Sequence, residues 1–215
     1  MRDLTLYIGN KNYSSWSLRP WLAMEATGIP FKEVLIPFDF PAGNPRFFEI
    51  SDVGRVPVLH HGKLVLTESL AIIEYVAELY PEAALWPEDR AERAVARALS
   101  AEMHSGFQAL RASCPMNMRR EPAAFAVSDA VHADVRRIET IWKESLQRSG
   151  GPFLFGSFSA ADAMFAPVVN RFEIYELAAS RSSAAYMNTI KSLPAFQRWR
   201  DGALAESWIV PEDEA

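Results

Sequence analysis

Cysteine is nearly missing from this 215-residue chain, where Cys114 stands alone. A single thiol excludes a disulfide framework and a cysteine-built zinc site, and it fits a reducing compartment. A basic surplus is missing too. Lys and Arg number 22 against 27 Asp and Glu, a formal charge of −5, which argues against a nucleic-acid binder, since that needs a basic stripe. No stretch approaches the roughly 18 consecutive apolar residues of a membrane span. The opening MRDLTLYIGN holds only a short strand-like run behind Arg2 and Asp3, and does not read as a signal peptide. Internal repeats and low-complexity tracts are lacking. What remains is 49% hydrophobic and 23% charged, which excludes a disordered chain. The expectation is a soluble cytoplasmic protein of one large domain or two small ones.

The two halves are patterned differently. Leu4 to Ile8 alternates like a strand, and Trp16 to Thr27 has helical apolar spacing that stops at Gly28. Glu33 to Ile36 reads as a second strand. Pro57 to His60 and Lys63 to Leu66 flank His61-Gly62 as a hairpin. Glu68 to Leu79 is helical, with Leu70, Ile73, Val76, Ala77 and Tyr80 on one face. The order β-α-β, loop, β-β-α implies one parallel pair and one antiparallel addition. Two prolines, Pro81 and Pro87, then mark a boundary. Beyond it the pattern is helical: Glu88 to Leu110 in one piece, a helix carrying Val131, Val135, Ile138, Trp142 and Leu146, another over 160–178, and one opened by Pro194. The tail from Pro211 to Ala215 reads as loose and solvated.

Three segments can carry chemistry. In Asn12-Tyr13-Ser14-Ser15-Trp16-Ser17-Leu18-Arg19-Pro20-Trp21, serines crowd a helix N-terminus. That pattern serves capping, or it serves an anion site, because free N–H groups and the helix dipole attract negative charge. A thiolate is one such anion. Moving a thiol from pKa about 8.5 to about 6.5 needs about 2.7 kcal/mol. One hydroxyl donor to an ion contributes roughly 1.5–3 kcal/mol, and a helix end roughly 0.3–1 kcal/mol. Pro20 fits only if the helix begins near Ser17 or is locally distorted. The second segment is Gly54-Arg55-Val56-Pro57-Val58-Leu59. It is either a plain strand entry or, with a cis Val56–Pro57 bond, a backbone edge for an extended peptide. The third is Thr67-Glu68-Ser69-Leu70. It either caps a helix or grips a zwitterion, with Ser69 on a carboxylate and Glu68 on an ammonium.

In this order and spacing the three segments resemble the glutathione S-transferase superfamily over nearly the whole chain. SSWSLRPWLAM is similar to the zeta-class (maleylacetoacetate isomerase-like) motif SSCSWRVRIAL, GRVPVL resembles the family's VP segment, and TESLAIIEYV resembles its E/Q-S-x-A-I-x-x-Y-L helix start. The resemblance implies an α/β plus all-α fold: a thioredoxin-like domain over 1–82, then an all-helical domain over 88–215. It implies a cis Pro57 and a homodimer; composition and residue spacing add the expectations of a cytoplasmic location with no metal, no nucleic acid and no membrane. It also implies a glutathione site built from Ser14, Arg55, Val56, Pro57, Glu68 and Ser69. Ser14 occupies the thiol-activating position and Ser15 is the second choice. Cysteine in the zeta motif is Trp16 here, so the motif holds no thiol for a mixed disulfide.

In the helical half the resemblance implies a second-substrate pocket along the first long helix, at Met103, His104, Phe107 and Arg111, with core packing the competing role for Met103 and Phe107. The zeta family's substrate-carboxylate arginine aligns near Ile174, one helical turn from Arg171. Phe158-Ser159-Ala160-Ala161-Asp162 resembles the family's capping box, with Asp162 a folding residue; loss of the Ser159 cap costs about 0.5–2 kcal/mol. Cys114 reads as a packed small residue. Met116 and Met118 read as gap-fillers, His60 and His61 as turn residues with no third metal ligand. His104 and His132 are isolated, and the Arg119-Arg120 and Arg136-Arg137 pairs read as solvated. The expected activity is conjugation of the glutathione thiolate to small apolar electrophiles. The alternatives are cis–trans isomerisation of a maleyl-type diacid, which needs a cationic pocket residue such as Arg171 or Arg111, a peroxidase using the same thiolate, and a non-catalytic binding or interaction module.

Overall fold

The computed structural model describes residues 3–38, 44–178 and 180–214. The strands among them fall between Leu4 and Thr67. In β1 (Leu4–Ile8), Leu4, Leu6 and Ile8 are buried and Thr5 and Tyr7 are half-buried, the period-two pattern of a strand with one face on the core. β2 (Lys32–Leu35) lies parallel to β1, and the crossover between them is α1 (Ser15–Ala26). β3 (Val58–His61) pairs antiparallel with β1, and β4 (Leu64–Thr67) antiparallel with β3, giving the sheet order β2-β1-β3-β4. Gly62 turns the hairpin at a φ of 60°, in the left-handed region that glycine enters without cost. The helix α3 (Ser69–Leu79) packs back on β3, β4 and α1, burying Ile72, Ile73 and Val76.

Three local features differ from expectation. A short helix, α2 (Arg46–Ile50), precedes the hairpin; five residues with one buried side chain, Phe47, leave no periodicity to read. α1 begins at Ser15 and runs through Pro20, so the ring removes the N–H that would bond the Trp16 carbonyl. The single helix expected over Glu88 to Leu110 is two: α4 (Arg90–Ser105) and α5 (Gln108–Ser113). Gly106 and Phe107 make the break. A Cβ on Gly106 would sit 2.7 Å from the Glu102 carbonyl oxygen, and Phe107 turns the chain at a φ of 56°.

After α6 (Asp129–Ser149), the helix α7 (Ala160–Ile174) is buried almost end to end. It stops short of the expected 178, where the Leu177 N–H returns to the Phe172 carbonyl at 2.9 Å and Glu176 takes a φ of 52°. Asp162 receives the Ser159 N–H at 2.9 Å, the Ser159 hydroxyl at 2.8 Å, the Leu154 N–H at 3.1 Å and the Tyr186 hydroxyl at 3.0 Å. It is the structural residue that the capping box implied. The helices α8 (Arg181–Lys191) and α9 (Pro194–Ala205) complete the helical half, with Pro194 in the first turn of α9 as expected. α1 packs on α3, α7 and α9. One buried core therefore runs from Leu6 and Leu22 into Phe165, Phe172 and Trp199, and the thioredoxin-like sheet and the helical half are fixed to each other. None of the described helices is long and apolar enough to cross a membrane.

Candidate functional site

The site begins where β1 ends. Gly9 to Ser14 form a tight loop in which the Asn10 carbonyl accepts the N–H groups of Tyr13 and Ser14 at 3.2 and 2.8 Å. A ladder of asparagines ties this loop to the helical half. Asn12 Nδ2 donates to Asn117 Oδ1 at 3.0 Å, and the Asn117 N–H donates to Asn170 Oδ1 at 3.1 Å. All three are buried, and buried amides bonded to one another fix geometry because an unpaired one is costly.

The serines divide their work. Ser14 is the N-cap residue of α1, but its hydroxyl caps no backbone N–H; it donates to Ser17 Oγ at 2.7 Å, which also accepts the Gly9 N–H at 3.1 Å. Ser15 Oγ instead accepts from Arg171 Nη2 at 3.3 Å, and Arg171 Nε is anchored on the Cys114 carbonyl at 2.8 Å. Ser14 and Ser15 line one cavity of about 450 Å³. Two other kinds of side chain line it: Phe38, Phe47, Pro115 and Met116 are apolar, whereas Arg55, Arg111 and Arg171 are cationic. Burial pulls the Arg171 guanidinium down to about 10, helped by the like charge of Arg111.

A second cavity of about 370 Å³ is lined by Val56, Pro57, Thr67, Glu68 and Ser69. It shares Trp16, Arg55, Val56 and Arg111 with the first, so the two adjoin. The Val56–Pro57 bond is cis, as the resemblance implied. Ser69 Oγ is fully buried and has no partner among the described residues. Glu68 holds a φ of 70° just before α3, a conformation that costs on the order of 1–3 kcal/mol for a non-glycine residue and concentrates at ligand sites. Its carboxylate reaches His104 Nε2 at 3.4 Å. Burial, and then the charge of Arg19, pulls the His104 imidazole below its ordinary value.

The C-terminal segment is part of the site rather than a loose tail. Glu206 accepts the Lys11 and Asn12 N–H groups at 2.6 and 3.1 Å. Arg119, far from solvated, donates to the carbonyls of Glu206 and Trp208 and to the Tyr13 hydroxyl at 2.7, 2.6 and 2.7 Å. The Tyr13 hydroxyl donates to Glu214, and a 3-10 turn at Pro211–Asp213 brings Asp213 into the first cavity. Ala215 lies outside the described residues.

Among the expected site residues, Ser14, Ser15, Arg55, Val56, Pro57, Glu68, Ser69, Arg111 and Arg171 therefore line one of two adjoining cavities. Met103 and Phe107 do not reach them. Both belong to the buried core, Met103 on the inner face of α4 and Phe107 in the turn between α4 and α5. His104 packs edge-on against Trp16 at 5.2 Å and supports the wall from behind. Tyr13 and Asp213 line the first cavity without having been expected there, and Asn117 braces the loop beside it; the adjacency of Tyr13 to the serine motif is the one sequence signal that points to any of them.

A small mixed sheet with a serine-lined helix N-terminus and a cis-proline strand entry, closed by a helical half, defines the class of two-part proteins with a thioredoxin-like first part. The chain belongs to the glutathione S-transferase family. The model of the glutathione S-transferase N-terminal domain matches residues 13–79 and that of the C-terminal domain residues 119–202. The chain is 27% identical over 165 residues to Protein IN2-1 of Zea mays, covering 76% of this chain but only 63% of that one. It is 29% identical over 195 residues to a probable maleylacetoacetate isomerase of Caenorhabditis elegans, covering 89% and 90%. A crystal structure of a glutathione transferase homologue from Burkholderia with bound glutathione shares the fold at a TM-score of 0.74 and 24% identity, over 96% and 100% of the two chains.

Proposed function

We propose that the protein binds glutathione across the two adjoining cavities and conjugates its thiolate to small electrophiles with an apolar body. One observation carries this reading: the wall shared by Trp16, Arg55, Val56 and Arg111 joins a pocket holding Glu68 and the unpartnered Ser69 to one holding the serines of α1. A tripeptide lying along it has its γ-glutamyl end on Glu68 and Ser69, its cysteinyl backbone on Val56 and its sulfur at Ser14 and Ser15. The serine-lined end of α1 stabilises the thiolate, the thiol proton leaves to water, and the sulfur attacks the electrophilic carbon of a substrate held against Phe38, Phe47 and Met116; in an aryl halide the carbon–sulfur bond forms as the carbon–halogen bond breaks and halide leaves to solvent. The family's homodimer is supported by apolar side chains exposed on the sheet half, Phe48 at 68% and Val65 at 46%. A cytoplasmic location belongs to the same reading.

The test is calorimetric titration with glutathione, ultraviolet absorbance of the bound thiolate against pH, and initial rates on aryl halides, hydroperoxides and maleylacetone. Binding with a depressed thiol pKa and turnover of an electrophile is the expected result. Binding with an ordinary thiol pKa and no turnover leaves a non-catalytic binding module, and no binding overturns the reading. A second reading, isomerisation of a maleyl-type diacid, is favoured by Arg111 and Arg171, which both line the serine cavity. It requires maleylacetone to outpace the aryl halides.

A further inference from the structure

Ser14 and Ser15 both line the cavity, but their hydroxyl hydrogens are differently placed. A serine oxygen has one hydrogen to give and two lone pairs to receive. Ser14 has given its hydrogen to Ser17 Oγ at 2.7 Å, a bond that braces the loop through the Gly9 N–H. Ser15 receives: a lone pair takes the N–H of Arg171 Nη2 at 3.3 Å. Its own hydrogen meets no acceptor among the described residues, so it is free for a ligand. A hydroxyl that accepts from a cation is a stronger donor, since the two bonds polarise one another. Arg171 is 4% exposed, is fixed through Nε to the Cys114 carbonyl, and leaves Nη1 without a partner among the described residues. The other charged groups around the cavity are Arg55, Arg111 and Asp213 on its wall and Arg19, which is buried and interacts with both Arg111 and Arg171. The cations outnumber the carboxylate.

We infer that Ser15 is the hydroxyl that stabilises the thiolate, that Arg171 is the positioning residue that orients and polarises it across the two halves of the protein, and that Ser14 chiefly braces the loop. This rests on the glutathione reading given above. It makes thiol activation depend on docking of α7 against α1, because neither half alone holds both members of the pair.

The test uses the full chain and reads the pKa of the bound thiol from its ultraviolet absorbance, with glutathione affinity measured alongside. Ser15→Ala raises that pKa by about 1–2 units, the equivalent of one hydrogen bond to an ion. It lowers kcat/KM about 10–100-fold at neutral pH, and the loss shrinks once the pH exceeds the shifted pKa. Ser14→Ala raises the thiol pKa by less. Arg171→Lys keeps the charge and shortens the fork; it raises the thiol pKa in the parent and has little further effect in the Ser15→Ala background, the non-additivity of residues acting through one another. A Ser14→Ala shift equal to or larger than that of Ser15→Ala overturns the inference, as does an additive Arg171→Lys effect. Should the parent protein bind no glutathione, the functional reading falls and the inference with it. Binding with an unmoved thiol pKa in Ser15→Ala sinks the inference alone.

Discussion

The guanidinium of Arg19 lies 4.2 Å from the centroid of the Trp16 indole ring. Arg19 is 1% exposed, and its Nε and Nη1 have no partner among the described residues. Arg111 sits over the same indole at 4.5 Å. The motif tryptophan thus holds two cations against its π-face, an arrangement worth about 2 kcal/mol or more per pair when desolvated. Burial and the neighbouring Arg171 and Arg111 push the Arg19 guanidinium well below its ordinary value. The protein keeps a cation in its interior at a cost, directly behind the wall where an anionic sulfur is proposed to sit.

Arg19→Met removes that cost. Replacing a buried ion pair by apolar side chains of similar volume is often neutral or stabilising by about 1–4 kcal/mol; the charges acting on Arg19 are the like ones of Arg171 and Arg111, so the relief offsets the lost stack on Trp16. The variant is expected to unfold at a higher urea midpoint while the bound thiol's pKa rises, because one cation near the sulfur is gone. Denaturation curves and thiolate absorbance check the two halves. A lower midpoint would show that the guanidinium holds the fold rather than the potential.

Asp162 gives a pH dependence of known sign. Burial raises its carboxyl from 3.8 to about 6, against the pull of its four hydrogen-bond donors. Between the unfolded and folded values the folded protein binds more protons, so this group's contribution to stability rises as the pH falls through about 6 toward 4 and is smallest above that window. Asp162→Asn has no such titration. The stability gap between parent and variant is expected to widen by roughly 1–3 kcal/mol on acidification from neutral pH to the bottom of the window. Guanidinium titrations at both ends measure it, and a constant gap would show an ordinary carboxyl.

Local pattern alone carries the strands, the crossover helix and the hairpin, and each of the three site segments combines turn chemistry with a helix or strand start. What stays hidden in the sequence is non-local. The Asn12–Asn117–Asn170 ladder joins residues that are polar and ordinary in sequence, and only the approach of α7 to the loop makes them partners. The division of labour between Ser14 and Ser15 depends on which hydroxyl meets Arg171, from 156 positions away. The break between α4 and α5 hinges on Gly106 and Phe107, which an amphipathic pattern runs straight through. The tail misleads for a related reason: its acidic residues look solvated until Tyr13, Asn117 and Arg119 arrive from elsewhere to bind it.

Cys114 is fully buried, and burial pushes its thiol up, so it should not exchange with oxidised glutathione in the native protein. Trp16→Cys would place a sulfur on the wall shared by both cavities, in the first turn of α1. There the thiolate attacks the disulfide, one glutathione stays bound through a mixed disulfide and the other leaves as thiolate. Mass spectrometry of the intact protein after incubation is expected to show one glutathione on the variant and none on the parent. Modification of the parent would mean that Cys114 becomes accessible in solution.

Asp213 is the carboxylate on the cavity wall that holds Arg111 and Arg171, and its charge works against any second substrate bearing a carboxylate. Burial raises its carboxyl above the ordinary range, and Arg171 opposes that rise. One charge at this range in a half-buried cleft is worth about 1 kcal/mol, a factor of about five in rate. Asp213→Asn is therefore expected to raise kcat/KM for a carboxylated aryl electrophile about fivefold relative to its uncharged analogue. The advantage should fade as the pH falls, because protonation neutralises Asp213 in the parent while the variant stays as it was. Parallel kinetics on the two electrophiles across that range decide the matter: a ratio unmoved by the substitution means that Asp213 holds the C-terminal turn in place and takes no part in selecting charge.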